Sequence, residues 1–566
     1  MSDKEGLVSK KSERMIKVTF NNYEVREFRE GTSLKEISEF VKDNFSYDIL
    51  VAKVDNDIVD LSETINKKCS VEFFDRSSVL GNTVYFSSAI FMLTLAARNI
   101  LGDEAHITTE HSLDRGIFCV MENAKIDKKI IKQIEDEMKR ICSENYLFVK
   151  MSVSRTDAMK YFKKRHQMDK FNVLKYISNT YINLYRINDL YDYFHSKMAY
   201  STSQINDFKL TYIDDNGFVL SVPDIINPEC TLDYKHHELV YQEFKHYNDF
   251  GRNIGIVYAS DLNRAVSMSK VDELIRISEA YYDNQLAVIA NEICEHPGKY
   301  KLILLTGPSS SGKSTTANKL KTYIRSHGIN VYSMSTDDYF KTKEHIPKDE
   351  LLREYDFDSI DALDVELFNK HLISLFAGEK VEIPKYNFIK GKREYVNNFI
   401  KLNDNDIIIV EGIQALNEKL TMSVDQNYIY KIFLSPLTHL NIDSHNHIHT
   451  SDIRKLRRIV RDNKSRGHNA AETLSMWHKI YLNEKSDIYP HQDEVNKVIN
   501  SSLVYEIGVL KTYVEPLLFN IPEDSPVYPE ALRLINFLRN FLPIPSDDIP
   551  NDSVLREFIG GSCFKD

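Results

Sequence analysis

Residues 302–316, LILLTGPSSSGKSTT, decide how the second half of this 566-residue chain folds. The apolar run LILLT predicts a buried strand, and a helix-forming segment begins at Thr315. The glycines between them permit a turn whose backbone N–H groups face a phosphate, and the following helix adds its dipole. A chance glycine-rich turn is disfavoured by this strand and helix context. The stretch therefore predicts a P-loop, a site for nucleotide phosphates, formed by Gly307, Pro308, Ser309, Ser310, Ser311, Gly312, Lys313, Ser314 and Thr315.

Further apolar runs follow the P-loop at helix-length spacing. They are VYSMS, IIIV, KIFL and VNKVIN. Short buried strands that alternate with helices are typical of a doubly wound parallel sheet. The fold class predicted for residues 298–520 is therefore α/β, with a parallel sheet.

Acidic residues follow two of these predicted strands. Glu411 comes directly after IIIV, and Asp337 and Asp338 follow VYSMS. The carboxyl ends of parallel strands share one edge of the sheet, so these side chains are expected near the phosphates. Glu411 is the candidate ligand of Mg²⁺ together with the Ser314 hydroxyl, and one of the two aspartates would accept a hydroxyl proton. The alternatives are a solvated loop acid at Glu411 and a helix N-cap at the aspartates.

An arginine-rich helix is predicted over residues 452–466. Arg454, Arg458 and Arg461 share one helical face, and Arg466 precedes Gly467. In a chain of net charge −11, such a stripe favours binding of an anion. A solvated basic face is the alternative.

The rest of the chain divides by pattern into an α+β module at 15–76, a region at 78–215, a connector at 216–297 and an extension at 521–566 that packs on the P-loop domain. Helices are expected over 33–44, 89–100 and 270–294. The six cysteines have no paired spacing and the N-terminus has no apolar signal core, which favours a cytoplasmic protein. The apolar stretch 84–97 is too short to span a bilayer, so no membrane segment is expected.

The motifs of the P-loop region also carry a resemblance. GPSSSGKST, DDYF, YDFDSIDALD, IPKYNF and VEGI occur in the order seen in the uridine kinase and phosphoribulokinase family, over about residues 299–502, and REFIGGSCF is a later match. This resemblance implies a kinase that uses ATP and Mg²⁺. It implies that Asp337 is the catalytic base for a nucleoside 5′-hydroxyl, that Lys313 acts on the phosphates, and that Arg461 and Arg466 belong to a lid over ATP.

The same resemblance implies a nucleoside site. Asp358 would hold the ribose hydroxyls, Arg458 would also touch the ribose, and Tyr386 and Phe388 would line the base pocket. Two positions depart from the pattern of uridine kinases. Gly391 stands where the family has a base-reading histidine, and Met476 stands where it has glutamine. Because of these departures, the sequence does not determine which nucleobase is preferred.

The front half resembles other proteins. Residues 15–76 are similar to TGS domains, and residues 78–215 are similar to the second additional, editing domain of threonyl-tRNA synthetases. At the positions that match the editing ligands, this chain has Ser87, Phe91, Tyr193 and Lys197, which cannot bind a metal together. The resemblance therefore implies a scaffold or a sensor, with RNA or tRNA contact as its expected partner.

Three functional hypotheses result. The favoured one is an ATP-dependent kinase of a nucleoside 5′-hydroxyl, with uridine or cytidine preferred. The second is a kinase for another hydroxylated metabolite, such as a sugar phosphate. The third is an RNA-associated regulator that uses the P-loop to sense a nucleotide; the lack of an NKxD motif argues against a GTPase.

Overall fold

The computed structural model describes residues 14–21, 24–215, 217–348 and 355–564. The chain forms two compact units. Unit 1 is Met1–Lys235 together with Asp443–His447, and unit 2 is His236–Ile442 together with Ile448–Asp566. The division predicted from the sequence is finer than these two units and stays a prediction.

Within its described residues, unit 1 contains one mixed sheet and two antiparallel sheets. They have the strand orders β2-β1-β5-β3-β4, β11-β12-β7-β6 and β10-β9-β8. The strands are β1 (Met15–Phe20), β2 (Val25–Arg29), β3 (Ile49–Val54), β4 (Asp57–Asp60), β5 (Cys69–Asp75), β6 (His106–Leu113), β7 (Gly116–Glu122), β8 (Val149–Ser154), β9 (Tyr181–Ile187), β10 (Leu190–Asp192), β11 (Lys209–Asp214) and β12 (Gly217–Ser221).

The helices of unit 1 are α1 (Leu34–Ser38), α2 (Val79–Leu101), α3 (Lys128–Glu144), α4 (Arg155–Lys164) and α5 (Met168–Val173). The single helix expected over 33–44 is wrong, because α1 ends early and a separate 3₁₀ turn covers Lys42–Asn44. Helix α2 begins where the Ser78 side chain accepts a hydrogen bond from the Gly81 N–H, and it ends at Gly102, whose φ is 94°.

Helix α2 extends well beyond the apolar stretch 84–97. Its 23 residues are long and apolar enough to cross a membrane by length and composition alone, so the argument from short length was wrong. Most of its apolar residues are nevertheless buried inside unit 1, among them Phe91, Met92 and Leu93. This burial is what the core helix of a folded domain shows.

Strand β12 belongs to unit 1. It pairs antiparallel with β11 and β7, and all five of its residues are buried. The expected start of the connector, residue 216, lies outside the described residues, and the strand that follows it belongs to the sheets of unit 1.

Unit 2 is built on a parallel sheet of order β14-β19-β13-β20-β21. Every neighbouring pair in it is parallel, which confirms the α/β class predicted from the strand and helix alternation. The strands of unit 2 are β13 (Leu302–Thr306), β14 (Val331–Ser335), β15 (Val381–Glu382), β16 (Lys385–Asn387), β17 (Lys392–Glu394), β18 (Phe399–Ile400), β19 (Ile407–Glu411), β20 (Ile429–Ser435) and β21 (Lys497–Asn500). Because β13 is central, the P-loop leaves the middle of the sheet.

The helices of unit 2 are α6 (Glu238–Asn253), α7 (Ala259–Ser267), α8 (Val271–Cys294), α9 (Lys313–Ser326), α10 (Val365–Phe376), α11 (Glu418–Thr421), α12 (Thr450–Arg461), α13 (Ala470–Asp487), α14 (Glu506–Phe519), α15 (Tyr528–Leu538) and α16 (Arg556–Ile559). The arginine-rich α12 continues as a π-helical turn over Asp462–Arg466 and stops at Gly467, whose φ is 72°. In the C-terminal extension, α15 packs on α14 and α16 packs on α12.

Candidate active site

The P-loop joins the end of β13 to the start of α9. Gly312 precedes α9 with a φ of 93°, a conformation that favours glycine. A Cβ on Gly307 would lie 2.1 Å from the carbonyl oxygen of Leu434, so the loop passes directly against β20. The Nζ of Lys313 donates to the carbonyl oxygens of Gly307 (2.9 Å) and Pro308 (3.1 Å). Burial lowers the pKa of Lys313, and the nearby Glu411 and Asp337 carboxylates oppose that shift.

Glu411 and Ser314 lie together beside the P-loop. The Ser314 hydroxyl donates to Oε1 of Glu411 at 3.4 Å. Burial raises the pKa of Glu411 to about 7, and the neighbouring Asp337 carboxylate adds to the rise. A hydroxyl and a carboxylate are ligands that Mg²⁺ accepts. These two residues therefore fit the predicted metal site.

The two aspartates of DDYF have different surroundings. Asp337 is close enough to Lys313, Glu411 and Asp358 to perturb the pKa of each. Asp338 instead accepts a hydrogen bond from the Tyr386 N–H at 3.1 Å, and burial raises its pKa. The structure thus brings Asp337 together with the phosphate-binding residues and ties its neighbour to strand β16.

Aromatic residues gather next to this edge. Phe340 and Phe357 have ring centroids 5.1 Å apart, and those of Tyr386 and Phe388 are 5.0 Å apart. Tyr386 is buried, whereas Phe388 is 54% exposed. Phe340 also contacts both Tyr386 and Phe388 edge to face. The two predicted base-pocket residues therefore belong to a larger cluster, in which sequence reasoning missed Phe340 and Phe357.

Asp358 follows directly after Phe357. Burial raises the pKa of Asp358, and Arg458 opposes this shift while Glu484 adds to it. Asp358 shares a small cavity with Ser309 and Glu484. The predicted ribose-binding carboxylate thus lies between the P-loop and the aromatic cluster.

The arginines that are expected to form a lid over ATP differ in what they contact. Arg458 donates from Nη1 to the Ser309 hydroxyl at 2.5 Å. Arg461 donates to Oδ1 of Asp462 at 2.8 Å, and Nε of Arg466 is 3.9 Å from the same oxygen. The adjacent Arg461 charge, together with burial, lowers the pKa of Arg466 to about 10. Arg461 and Arg466 therefore concentrate positive charge around one carboxylate.

The sequence around this site is similar to that of known proteins. The model of the phosphoribulokinase / uridine kinase family matches residues 302–504. A uridine kinase of Staphylococcus aureus is 30% identical over 176 residues, which are 31% of this chain and 75% of that protein. The chain belongs to the phosphoribulokinase/uridine kinase family. A uridine kinase of Staphylococcus haemolyticus is 29% identical over 214 residues, 38% of this chain and 91% of that protein.

Solved structures resemble the chain only weakly. A possible uridine kinase from Bacillus stearothermophilus has a TM-score of 0.21 and 21% identity, and the match covers 25% of this chain and 78% of that one. D-glycerate 3-kinase from Cryptococcus neoformans var. grubii has a TM-score of 0.22 and 14% identity, and the match covers 47% of this chain and 89% of that one. TM-scores of this size do not establish a shared fold. Membership of the phosphoribulokinase/uridine kinase family rests on the sequence matches and makes the matched region a nucleotide-binding kinase domain.

This family member buries part of its arginine stripe. Arg454 is 2% exposed and pairs with Glu484, with Nη1 and Oε1 2.5 Å apart. Arg457, three residues further along α12, is fully buried and donates to Glu506 at 2.7 Å. Arg454, which was expected to bind an anion with the rest of the stripe, is instead half of a buried ion pair with Glu484. The sequence carried no signal for either acidic partner.

A carboxylate from the C-terminal extension reaches the P-loop helix. Oε2 of Glu557 accepts hydrogen bonds from the Thr315 hydroxyl (2.8 Å) and the Thr315 N–H (3.2 Å). Backbone N–H groups at this end of a P-loop cradle the α- and β-phosphates of a nucleotide. We therefore expect Glu557 and a nucleotide phosphate to compete for these donors.

Replacing Glu557 should tighten nucleotide binding. Glu557→Gln removes a negative charge from the phosphate site, so the KM for ATP is expected to fall about 3- to 10-fold, in line with the loss of one like-charge contact. Steady-state kinetics with ATP varied measure it. Asp547→Asn, an exposed acid of the same extension, is the control. A KM that is unchanged or higher in Glu557→Gln contradicts the competition.

Among all the residues that the structure describes, those of the front half included, no group of three or more histidine, cysteine and acidic residues could hold a metal. Phe91 is buried in the core of unit 1, and burial lowers the pKa of Lys197. The segment Asp443–His447 fills space near Tyr193, whose carbonyl accepts from the Asn446 side chain at 2.9 Å.

Unit 1 should therefore not hydrolyse mischarged tRNA. We expect the full-length protein to release no amino acid from threonyl-tRNA or seryl-tRNA above the uncatalysed rate, because Ser87, Phe91, Tyr193 and Lys197 stand at the four ligand positions. A deacylation assay with both tRNAs measures this. Deacylation that is lost on mutating Tyr193 or Lys197 would overturn the prediction.

Proposed function

We propose that this protein transfers the γ-phosphoryl group of ATP to the 5′-hydroxyl of a nucleoside, with uridine or cytidine preferred. The observation that carries the proposal is the placement of Asp337, which lies near enough to Lys313, Glu411 and Asp358 to act on all of them electrostatically. The 5′-hydroxyl of a nucleoside held by Asp358 and the aromatic cluster would then face both the catalytic base Asp337 and the triphosphate of bound ATP.

The residues of the chain would divide the chemistry. Asp337 accepts the proton of the attacking hydroxyl, while Lys313, Arg461 and Arg466 offset the charge that develops on the phosphoryl group. Ser314 and Glu411 would hold Mg²⁺, which supplies further neutralisation of the phosphates. Most of the rate enhancement in such a transfer comes from positioning and electrostatics.

The kind of acceptor is supported by chemistry at the pocket. The planar rings of Phe340, Phe357, Tyr386 and Phe388 are suited to packing against a nucleobase. The carboxylates of Asp358 and Glu484 share one cavity, and such an arrangement disfavours an acceptor that already carries a phosphate. This favours a nucleoside over a sugar phosphate. That the relatives are named uridine kinases supports a pyrimidine.

A turnover assay tests the proposal. ATP, Mg²⁺ and each of several nucleosides and sugar phosphates are incubated with the full-length protein, and ADP and the phosphorylated product are measured over many turnovers. We expect product from a nucleoside, and none with Lys313→Ala. Product from sugar phosphates alone would support the second hypothesis, and ATP binding without any acceptor turnover would support a nucleotide sensor.

A further inference from the structure

Glu484, on α13, is a buried carboxylate with a fixed position. Its side chain is 3% exposed. Oε1 accepts hydrogen bonds from Nη1 of Arg454 at 2.5 Å and from the Ser309 N–H at 2.8 Å. The guanidinium and the P-loop amide therefore fix the orientation of Glu484.

The other oxygen of Glu484 has a different environment. Oε2 is buried and has no hydrogen-bond partner among the described residues. Buried carboxylate oxygens are normally satisfied, so an unsatisfied one indicates that a donor from outside the chain belongs there.

Glu484 also lines a small cavity, whose volume of about 10 Å³ has room for one hydroxyl-sized donor. Glu484 lines it with Ser309 of the P-loop, Asp358 and Asn483, and the apolar side is formed by Ile413, Ile480 and Ile488. The charge of Glu484 reaches Asp358 and Arg458, because it shifts the pKa of both. Two carboxylates thus border one cavity, and a carboxylate can only accept hydrogen bonds when ionised.

We infer that Glu484 is a specificity-determining residue for the acceptor, whose Oε2 accepts a hydrogen bond from one ring hydroxyl of a ribose while Asp358 accepts one from the other. The inference rests on the proposed nucleoside kinase activity and deepens it. A vicinal diol offers the two O–H donors that such a pair of carboxylates needs. A deoxyribose would leave one buried carboxylate oxygen unpaired, which a closed polar site strongly disfavours.

Glu484 also links α13, α12 and the P-loop, and a purely structural role would have different consequences. Loss of a structural link would slow every acceptor to a similar extent. Loss of a hydroxyl contact would slow only the acceptor that carries that hydroxyl. The decisive quantity is therefore the ratio of kcat/KM between a ribonucleoside and its deoxy analogues.

The experiment compares the best ribonucleoside with its 2′-deoxy and 3′-deoxy analogues in the wild-type protein and in Glu484→Gln. We expect the wild type to prefer the ribonucleoside over both analogues by about 10²-fold or more. In Glu484→Gln, preference over one analogue should fall about 10-fold or more, while kcat/KM for that analogue changes less than about 3-fold.

A matched control is Glu506→Gln. Glu506 is buried and pairs with Arg457, which also contacts P-loop carbonyls, but Glu506 does not line the cavity. This variant should lower kcat/KM for all acceptors alike and leave the ratios unchanged. Thermal unfolding of both variants reports on folding, and Glu484→Asp replaces Glu484→Gln if the latter does not fold, with the same loss of preference expected because the shorter side chain withdraws Oε2.

The outcomes separate the inference from the function on which it rests. A wild type that phosphorylates nucleosides without preferring ribose overturns the inference alone, as do unchanged ratios in a folded Glu484 variant. A wild type that phosphorylates no nucleoside overturns the proposed function, and the inference with it.

Discussion

Asp337→Asn should reduce kcat by roughly 10²- to 10⁴-fold while ATP binding stays nearly intact. The amide keeps the shape and hydrogen-bonding reach of the side chain but cannot accept the hydroxyl proton. Asp337 is the aspartate of DDYF that lies near Lys313, Glu411 and Asp358. Turnover with the best acceptor and the Kd for an ATP analogue measure the two parts of the prediction.

Asp338→Asn provides the comparison. Asp338 accepts a hydrogen bond from the Tyr386 N–H, and the amide oxygen of asparagine can accept the same bond. The loss in kcat should therefore be much smaller than at Asp337. A larger loss at Asp338, or wild-type turnover by Asp337→Asn, would show that the base has been assigned to the wrong residue.

Arg461→Ala and Arg466→Ala should each lower kcat by about 10²-fold or more and leave the fold intact. Both arginines contact Asp462, which also pairs with Arg458 at 3.1 Å, so removal of one arginine does not leave that carboxylate alone. Kinetics at saturating ATP and thermal unfolding measure the two effects. Full turnover by both variants would contradict their assignment to the lid.

Arg457→Ala is the matched control on the same helix. Arg457 is fully buried, and its loss leaves Glu506 buried without its charged partner. Breaking a buried pair in this way typically costs about 3–5 kcal/mol of folding free energy. This variant should therefore lose thermal stability, whereas the Arg461 and Arg466 variants should not.

Much of unit 2 could be predicted from the sequence because its signals are local. The strand, the glycine turn and the helix N-terminus of the P-loop are continuous over residues 302–316, and each buried strand of the parallel sheet is a short apolar run. Asp337 and Glu411 could be placed at one sheet edge because they lie at or just after the carboxyl ends of neighbouring parallel strands, which coincide.

The spacing of residues along a helix predicted less about the contacts of the arginines. The spacing of Arg454, Arg458 and Arg461 correctly identifies a shared face, but it does not tell which side chains find buried acids. Arg454 pairs with Glu484, 30 positions away, while Arg461 pairs with the adjacent Asp462. In unit 1, the strand Gly217–Ser221 could not be assigned to its sheet because its partner β7 lies about a hundred residues earlier.

The sequence by itself determined the P-loop, the parallel sheet and the edge at which the acids gather, since these depend on chain neighbours and on the periodicity of apolar residues. Only the tertiary structure decided that Glu484 borders the cavity of Asp358, that Glu557 reaches Thr315, and that Asp443–His447 belongs to unit 1. The physical reason is that a charged side chain far along the chain has no local preference for one partner, so its place is set when the packed core brings the two segments together.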